Sequence, residues 1–256
     1  MNVNDISKIN LLLQKLPKGA LYFASWLNDQ GISYSLQQSY RNSQWFSTFA
    51  KGVMYRTGEK PDIFGALSCF NNQLGKQFRI GAQSALDLKG FSHYLPLGKQ
   101  IITIYYPRGE WFPEWLKKNK FGITVQKFSE GQNDSQTGIT TSEISGFEVL
   151  VSAPERAFME CLELAPKYYD LTDLYYVMEM LTTLRPEPVK QLLEECKSVK
   201  VKRLFLYMAE KAQHQWFEEL DFSSIDLGTG KRSLVNSGVY NAKYQITIPR
   251  ELANYE

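Results

Sequence analysis

Within the first sixty residues, four patterns follow one another in an order that few folds can accommodate. Residues 6–16 and 20–28 each place apolar side chains on one helical stripe, which predicts two short amphipathic helices in series. A serine suited to an N-cap then begins a third, more polar helix over residues 33–43. Residues 45–56 form two aromatic-rich runs around a basic glycine turn, a pattern typical of a β-hairpin. This order predicts a winged helix-turn-helix domain over residues 1–60.

The third helix has an inner and an outer face. Leu36 and Tyr40, four residues apart, are expected to point inward. Glutamine and arginine on the outer face suit bidentate contacts with DNA bases, and cations on the hairpin suit phosphates. The predicted DNA-binding residues are Tyr34, Gln37, Gln38 and Arg41 on the helix, with Lys51 and Arg56 on the wing.

The positive charge of the chain is concentrated in this segment. Residues 1–60 contain seven Lys or Arg and three acids, a net charge of +4, so the rest of the chain has a net charge of −2. An excess of this size allows only a few phosphate contacts for each chain. We therefore expect tight DNA binding to need two copies and to weaken steeply with salt.

Length and composition bound the rest of the chain. With 256 residues, 43% hydrophobic and 22% charged, the chain has room for a second, larger globular domain over residues 61–256. The sequence has neither an apolar run that spans a bilayer nor a signal-peptide pattern, and we expect a cytoplasmic protein. The three cysteines are far apart, which predicts reduced, partly buried side chains rather than disulfides or a zinc site.

The patterns in residues 61–256 alternate between helix and strand before becoming mainly helical. Helical periodicity covers residues 62–75, and the clearest strand covers residues 100–106. Residues 129–146 are polar without periodicity, which predicts a long exposed connection. A capping box with proline inside it at 152–155 begins a helical region, and residues 240–248 alternate as a final strand. The predicted fold class is α+β, a winged helix-turn-helix followed by a mixed α/β domain.

Residues suited to catalysis or metal binding are scarce. The two histidines, His93 and His214, cannot form a histidine-based metal cluster, and structural roles are expected for both. The Gly-Thr-Gly-Lys-Arg turn at 228–232 fails the Walker pattern, because Ile225 stands where glycine is needed and Arg232 where serine or threonine binds magnesium. We therefore predict no catalytic residue, no cofactor and no metal.

Basic residues cluster near the C-terminus on a predicted helix and on the glycine-flanked turn that follows it. Together they are a candidate binding surface for RNA, a nucleotide or an acidic protein face. A solvated face is the alternative, and the acidic Glu194 and Glu195 upstream favour it. The candidate residues are Lys200, Lys202, Arg203, Lys231 and Arg232.

Several short motifs in a fixed order give the chain a family resemblance. They include Gly-Val-Met-Tyr-Arg at 52–56, Gly-Ala-Gln-Ser-Ala-Leu-Asp-Leu-Lys-Gly at 81–90, Val-Ser-Ala-Pro-Glu-Arg-Ala at 151–157, Ser-Val-Lys-Val-Lys-Arg-Leu at 198–204, Asp-Leu-Gly-Thr-Gly-Lys-Arg at 226–232 and Lys-Tyr-Gln-Ile-Thr-Ile-Pro at 243–249. From about residue 18 to residue 251, the chain resembles the AbiEi family of bacterial antitoxins.

The resemblance implies a function that the residues alone do not. It implies an antitoxin of a type IV toxin–antitoxin, or abortive-infection, system that represses its own operon at inverted repeats in promoter DNA. Its C-terminal domain would counteract a nucleotidyltransferase-like toxin without a stable complex, and the basic residues near the C-terminus are the candidate antitoxin surface. The alternative is a nucleotide- or RNA-acting enzyme with a nucleic-acid-docking head. A fragment from residue 61 onward is expected to fold and to retain the antitoxin role.

Overall fold

The computed structural model describes residues 3–91, 100–118, 120–130 and 135–255, so His93 lies outside the described residues. The helices are α1 Val3–Gln14, α2 Ala24–Asp29, α3 Tyr34–Asn42, α4 Ile63–Leu74, α5 Ala82–Leu88, α6 Glu114–Lys117, α7 Pro154–Leu164, α8 Leu171–Met180, α9 Pro186–Glu195, α10 Val199–Lys211, α11 Gln215–Glu218 and α12 Arg250–Asn254. The strands are β1 Leu21–Phe23, β2 Phe46–Ala50, β3 Val53–Arg56, β4 Arg79–Ile80, β5 Ile101–Tyr106, β6 Thr124–Ser129, β7 Ile139–Ile144, β8 Phe147–Ser152, β9 Arg232–Ser233, β10 Val239–Asn241 and β11 Ile246–Ile248.

The head follows the predicted order with one correction. The helix predicted over residues 20–28 is wrong in its first part, where β1 precedes a shorter α2. All three β1 side chains are buried, and its backbone pairs antiparallel with β3. A short run that is apolar at every position has no period to separate helix from strand, so this pairing decided the outcome. The polar helix α3 and the hairpin of β2 and β3 are confirmed.

The three-stranded wing sheet has the order β1-β3-β2 and is covered on both faces. On one face, the Phe46 ring lies 5.1 Å from that of Tyr22 and 6.2 Å from that of Tyr40 in α3. On the other face, Phe23 and Phe49 point toward the rest of the chain. The wing therefore lies between the helices of the head and the C-terminal part of the protein.

A five-stranded mixed sheet forms the centre of the C-terminal part, in the order β6-β5-β4-β8-β7. The exposed connection predicted over residues 129–146 is wrong where it includes β7, which forms an antiparallel hairpin with β8. The alternating side chains of β7 lie at the edge of the sheet and are half-buried or exposed. Because an edge strand needs few apolar residues, its composition resembled that of a loop.

The helices α4, α5 and α7 pack against this sheet, α8 to α10 pack against α7, and a small sheet of order β10-β11-β9 follows in the chain. The single strand predicted over residues 240–248 is two strands, β10 and β11, which pair antiparallel. Gln245 has a φ of 51° in the turn between them, a left-handed conformation that a continuous strand does not contain.

The start of α7 differs from the predicted capping box. Pro154 occupies the first turn as expected, but the N-cap is Ala153 and has no side-chain hydrogen bond. Ser152 instead donates to the carboxylate of Glu160. The buried Glu155 accepts a hydrogen bond from the Arg185 Nε at 3.0 Å. Tertiary contacts therefore displaced the local capping pattern.

An aromatic cluster joins the head to the C-terminal part. The Trp115 ring lies 6.0 Å from the ring of Phe23, 6.0 Å from that of Phe49 and 5.7 Å from that of Phe70. Gly65 in α4 allows the close approach of Phe147 in β8, because a Cβ there would lie 2.7 Å from the Phe147 ring. The two parts share one continuous hydrophobic core.

The cysteines and His214 have the structural character that was predicted. Cys69 and Cys161 are buried, Cys196 is half-buried, and all three are free thiols. His214 is buried, with its Nε2 atom 2.7 Å from the carbonyl oxygen of Met178. Within the described residues, no helix is long and apolar enough to cross a membrane.

Candidate functional site

The recognition-helix candidate α3 is defined by local sequence at both ends. The Ser33 hydroxyl accepts a hydrogen bond from the Leu36 amide at 3.3 Å, as an N-cap does. Tyr40 is fully buried, whereas Leu36 is half-buried, so the predicted inner face is mainly formed by Tyr40. The helix ends at Asn42, and Gln44 has a φ of 60° that turns the chain into the wing.

The outer face of α3 carries a connected set of polar side chains. Tyr34 is 60% exposed, and Gln38 is exposed one turn further along the helix. The Arg41 Nη2 atom donates to the Oε1 atom of Gln38, and the Gln38 Nε2 atom donates to Asn42 Oδ1 at 2.9 Å. A second nitrogen of Arg41 contacts the sulfur of Met54 at 3.2 Å. The face thus presents the guanidinium of Arg41 and the side-chain amides of Gln38 and Asn42. Asn42 was not among the predicted DNA-binding residues.

Gln37 requires a correction, because it was predicted on the outer face and is only 1% exposed. Its Nε2 atom donates to the carbonyl oxygens of Ala24 at 2.9 Å and Ile32 at 2.8 Å. These bonds tie α3 to the start of α2 and to the preceding turn. The period of the helix places residue 37 beside the inward positions, and the carbonyl oxygens of Ala24 and Ile32 supply the hydrogen bonds that a buried amide needs.

The wing presents its cations at the tip and along the outer part of β3. Lys51 is exposed at the tip, where Gly52 adopts a φ of 72° that favours glycine. The Arg56 side chain is 44% exposed and lies 3.4 Å from a carboxylate oxygen of Glu59. Lys51 is therefore the more available of the two cations for an external anion.

Three of the predicted antitoxin-surface residues point into the protein, contrary to expectation. Lys202 is 7% exposed and donates to the Asp226 carbonyl at 2.7 Å. Arg203 is 2% exposed and donates to carbonyl oxygens of the segment that follows α11. Lys200 is half-buried, donates to the carbonyls of Glu163 and Ala165, and has a pKa lowered by burial. These cations donate hydrogen bonds to backbone carbonyl oxygens at the end of α7 and in the segment after α11.

Lys231 and Arg232 are exposed, as predicted. The Lys231 ammonium lies 4.9 Å from the ring centroid of Tyr240, a side chain that is itself 42% exposed. The structure therefore adds an aromatic neighbour that the sequence analysis missed. No signal in the sequence pairs positions 231 and 240, because β11 lies between β9 and β10.

A buried ionic cluster was also missed. Arg79, 2% exposed, pairs with Glu130 and with Glu160, each at 2.9 Å. Arg156 pairs with Glu160 at 3.1 Å, four residues away. The cluster lines a cleft of about 290 Å³, and its four charges are paired with one another. We assign it a structural role, because its charges pair with one another. Among the described residues, no group of three or more His, Cys, Asp or Glu could hold a metal ion.

The element order of the head and the exposed polar face of α3 place the chain in the class of winged-helix proteins. A family model described as "Transcriptional regulator, AbiEi antitoxin N-terminal domain" matches residues 5–97, and one described as "Transcriptional regulator, AbiEi antitoxin, Type IV TA system" matches residues 99–249. The chain belongs to this AbiEi antitoxin family of transcriptional regulators, as its motifs indicated. The two family models meet near residue 98, so the division at residue 60 stays a prediction.

Comparison with solved structures supports the same fold. The chain is similar to the RV2827C protein from Mycobacterium tuberculosis, with 14% identity, a TM-score of 0.59, and coverage of 90% of this chain and 86% of that one. At this identity the similarity concerns the fold alone. A comparison with curated proteins found no match.

Proposed function

We propose that the protein represses its own operon by binding promoter DNA through α3 and the wing. The observation that carries the proposal is the outer face of α3, where the exposed Gln38 accepts from Arg41 and Arg41 in turn contacts Met54 of the wing strand β3. An arginine and an amide can each make two hydrogen bonds to one base edge. Membership of a family of transcriptional regulators supports the same role.

The corrected contact set divides into base-reading and phosphate-binding residues. Tyr34, Gln38 and Arg41 are proposed to approach the bases, and Lys51 and Arg56 the phosphates. Because each head supplies few cations, two copies on inverted repeats are needed for tight binding.

The test compares the promoter fragment with a scrambled duplex by fluorescence anisotropy over a range of salt concentrations. Arg41→Ala is expected to lose discrimination between the two duplexes by about 1–3 kcal/mol, since it removes a base contact. Lys51→Ala is expected to weaken both duplexes equally and to lower the salt slope by about one unit. Lys167→Ala, which removes an exposed lysine far along the chain from the head, is the charge-matched control. Binding of both test variants like the parent would contradict the proposal.

We further propose that the C-terminal part counteracts a nucleotidyltransferase-like toxin through Lys231 and Arg232. The other three candidates point into the protein, so these two cations are the exposed part of the predicted antitoxin surface. The Tyr240 ring of β10 lies beside the Lys231 ammonium. The proposed action is in the cytoplasm and without enzymatic activity of its own. Family membership in type IV toxin–antitoxin systems supports a toxin as the functional partner.

The antitoxin role is tested by rescue of cells that express the toxin encoded beside this gene. The double variant Lys231→Glu, Arg232→Glu is expected to keep the parental melting temperature and promoter binding but to rescue poorly. The control is Lys167→Glu, an equally exposed charge reversal. Full rescue by the double variant would make these cations an ordinary solvated face. Turnover of a nucleotide or tRNA by the purified protein would instead support the enzyme alternative.

A further inference from the structure

A lysine of the C-terminal part is attached to the edge of the wing. The Lys120 ammonium donates to the carbonyl oxygen of Phe49 and lies 4.6 Å from the centroid of the Phe49 ring. Phe49 belongs to β2, the outer strand of the wing sheet, and precedes Lys51 at the wing tip by two residues. The fold therefore brings cations separated by about seventy residues of sequence to the same edge.

The position of Lys120 beside the wing is fixed by aromatic residues that precede and follow it in the chain. The Phe49 ring lies 6.0 Å from the Trp115 ring and 5.3 Å from the Phe121 ring. All three aromatic side chains are at most 8% exposed. Because movement of this segment away from the wing would open a packed core, Lys120 has a fixed place relative to Lys51.

The segment around Lys120 is strongly basic. Four lysines and one acid occur from residue 114 to residue 127. The acid, Glu114, pairs with Lys117. Lys118 and Lys120 are exposed, and neither has an ion-pair partner in the part of the chain that the structure describes. An ammonium has three donors, so Lys120 keeps two besides the one that binds the Phe49 carbonyl, and Lys118 lies two residues before it in the chain.

We propose that Lys118 and Lys120 form one phosphate-binding surface with Lys51, so that the C-terminal part contacts operator DNA directly. This inference rests on the proposed binding of promoter DNA. Duplex DNA is the occupant that fits, because its backbone presents a regular row of negative charges and the surface continues the wing. The head alone supplies few cations, and the additional lysines increase the number of phosphates that each copy neutralises.

The experiment measures the dissociation constant of the full chain for the promoter and scrambled duplexes against salt concentration. Lys118→Ala is expected to weaken both duplexes equally, by about eightfold at 0.1 M salt, and to lower the slope by about 0.9. Lys118→Arg keeps the charge and is expected to restore both values, whereas Lys167→Ala leaves them unchanged. Adding Lys120→Ala to Lys118→Ala lowers the slope again by a similar amount, provided that the melting temperature stays parental.

The outcomes separate this inference from the proposed function. If the parent prefers the promoter but Lys118→Ala keeps the parental slope, the extended surface is refuted and the winged-helix role stands. If the parent binds neither duplex, both proposals fail. A loss confined to single-stranded RNA, or to binding of a protein partner with parental DNA affinity, also overturns the inference, because it identifies a different occupant.

Discussion

Replacement of Arg203 by methionine is expected to destabilise the protein, although the sequence places this arginine in a basic surface cluster. Its guanidinium lies at the centre of the turn that joins α11 to the small C-terminal sheet. It donates to the carbonyl oxygens of Leu227 at 2.8 Å, Gly228 at 2.9 Å, Gly230 at 2.7 Å and Gln245 at 3.2 Å. Methionine fills a similar volume but donates to none of them.

The magnitude follows from the exposure of the acceptors. Gly230 and Gln245 are exposed, so their carbonyls recover hydrogen bonds with water. Leu227 and Gly228 are half-buried, and each loses a bond to a charged donor that contributes about 1.5–3 kcal/mol. We therefore expect a loss of about 3–6 kcal/mol in the free energy of unfolding, and a fall of at least about 6 °C in Tm.

Urea denaturation followed by tryptophan fluorescence measures this loss, since Trp216 packs 6.1 Å from Phe205 of α10. Arg232→Met removes an exposed arginine from the same region and is expected to change the free energy by less than about 0.5 kcal/mol. If Arg203→Met has the parental stability and fails to rescue cells from the toxin, the assignment of Arg203 to the interior support is refuted.

Three further perturbations test other parts of the structure. Gln37→Leu removes the amide donor from the buried Ile32 carbonyl and from the half-buried Ala24 carbonyl, and is expected to lower stability by about 1–3 kcal/mol; its preference for the promoter should stay parental, unlike that of Arg41→Ala. Arg79→Met leaves the carboxylates of Glu130 and Glu160 to share the single cation of Arg156, at an expected cost of about 3–5 kcal/mol in urea denaturation. A fragment of residues 61–256 loses Phe23 and Phe49, two of the three aromatic partners of Trp115, and we expect it to melt below the full chain and to bind a hydrophobic dye.

Each of these expectations has a contradicting result. A changed base preference in Gln37→Leu at parental stability would return Gln37 to the DNA-reading face. Parental stability of Arg79→Met would show that Glu130 and Glu160 have other partners or become hydrated. A 61–256 fragment as stable as the full chain, and still able to rescue cells, would support separable domains divided at residue 60.

The elements of the head were predictable because their signals are local. A serine N-cap, an inward tyrosine and a glycine at the wing turn are read from neighbouring residues, and α3 and the hairpin occur where they indicate. The strand β1 was misread for the opposite reason, since three apolar residues in succession have no period. The strand β7 was missed because a strand at the edge of a sheet can form with few apolar residues.

The candidate sites divide in the same way. The exposure of Tyr34, Gln38 and Lys51 followed from helical period and turn position. Gln37 and Arg203 were misplaced, because a polar side chain is buried only where distant carbonyls require donors. Nothing near these residues in sequence identifies those carbonyls.

The sequence by itself determined the family, the α+β class, and the order of the three helices and the hairpin in the head, since motifs, caps and periodicity act over a few residues. Only the tertiary structure decided which cations face solvent and that the head and the C-terminal part share one core. It also placed Lys120 against Phe49, a contact between residues 71 positions apart. Burial and long-range hydrogen bonding depend on which surfaces meet after folding, and local patterns do not contain that information.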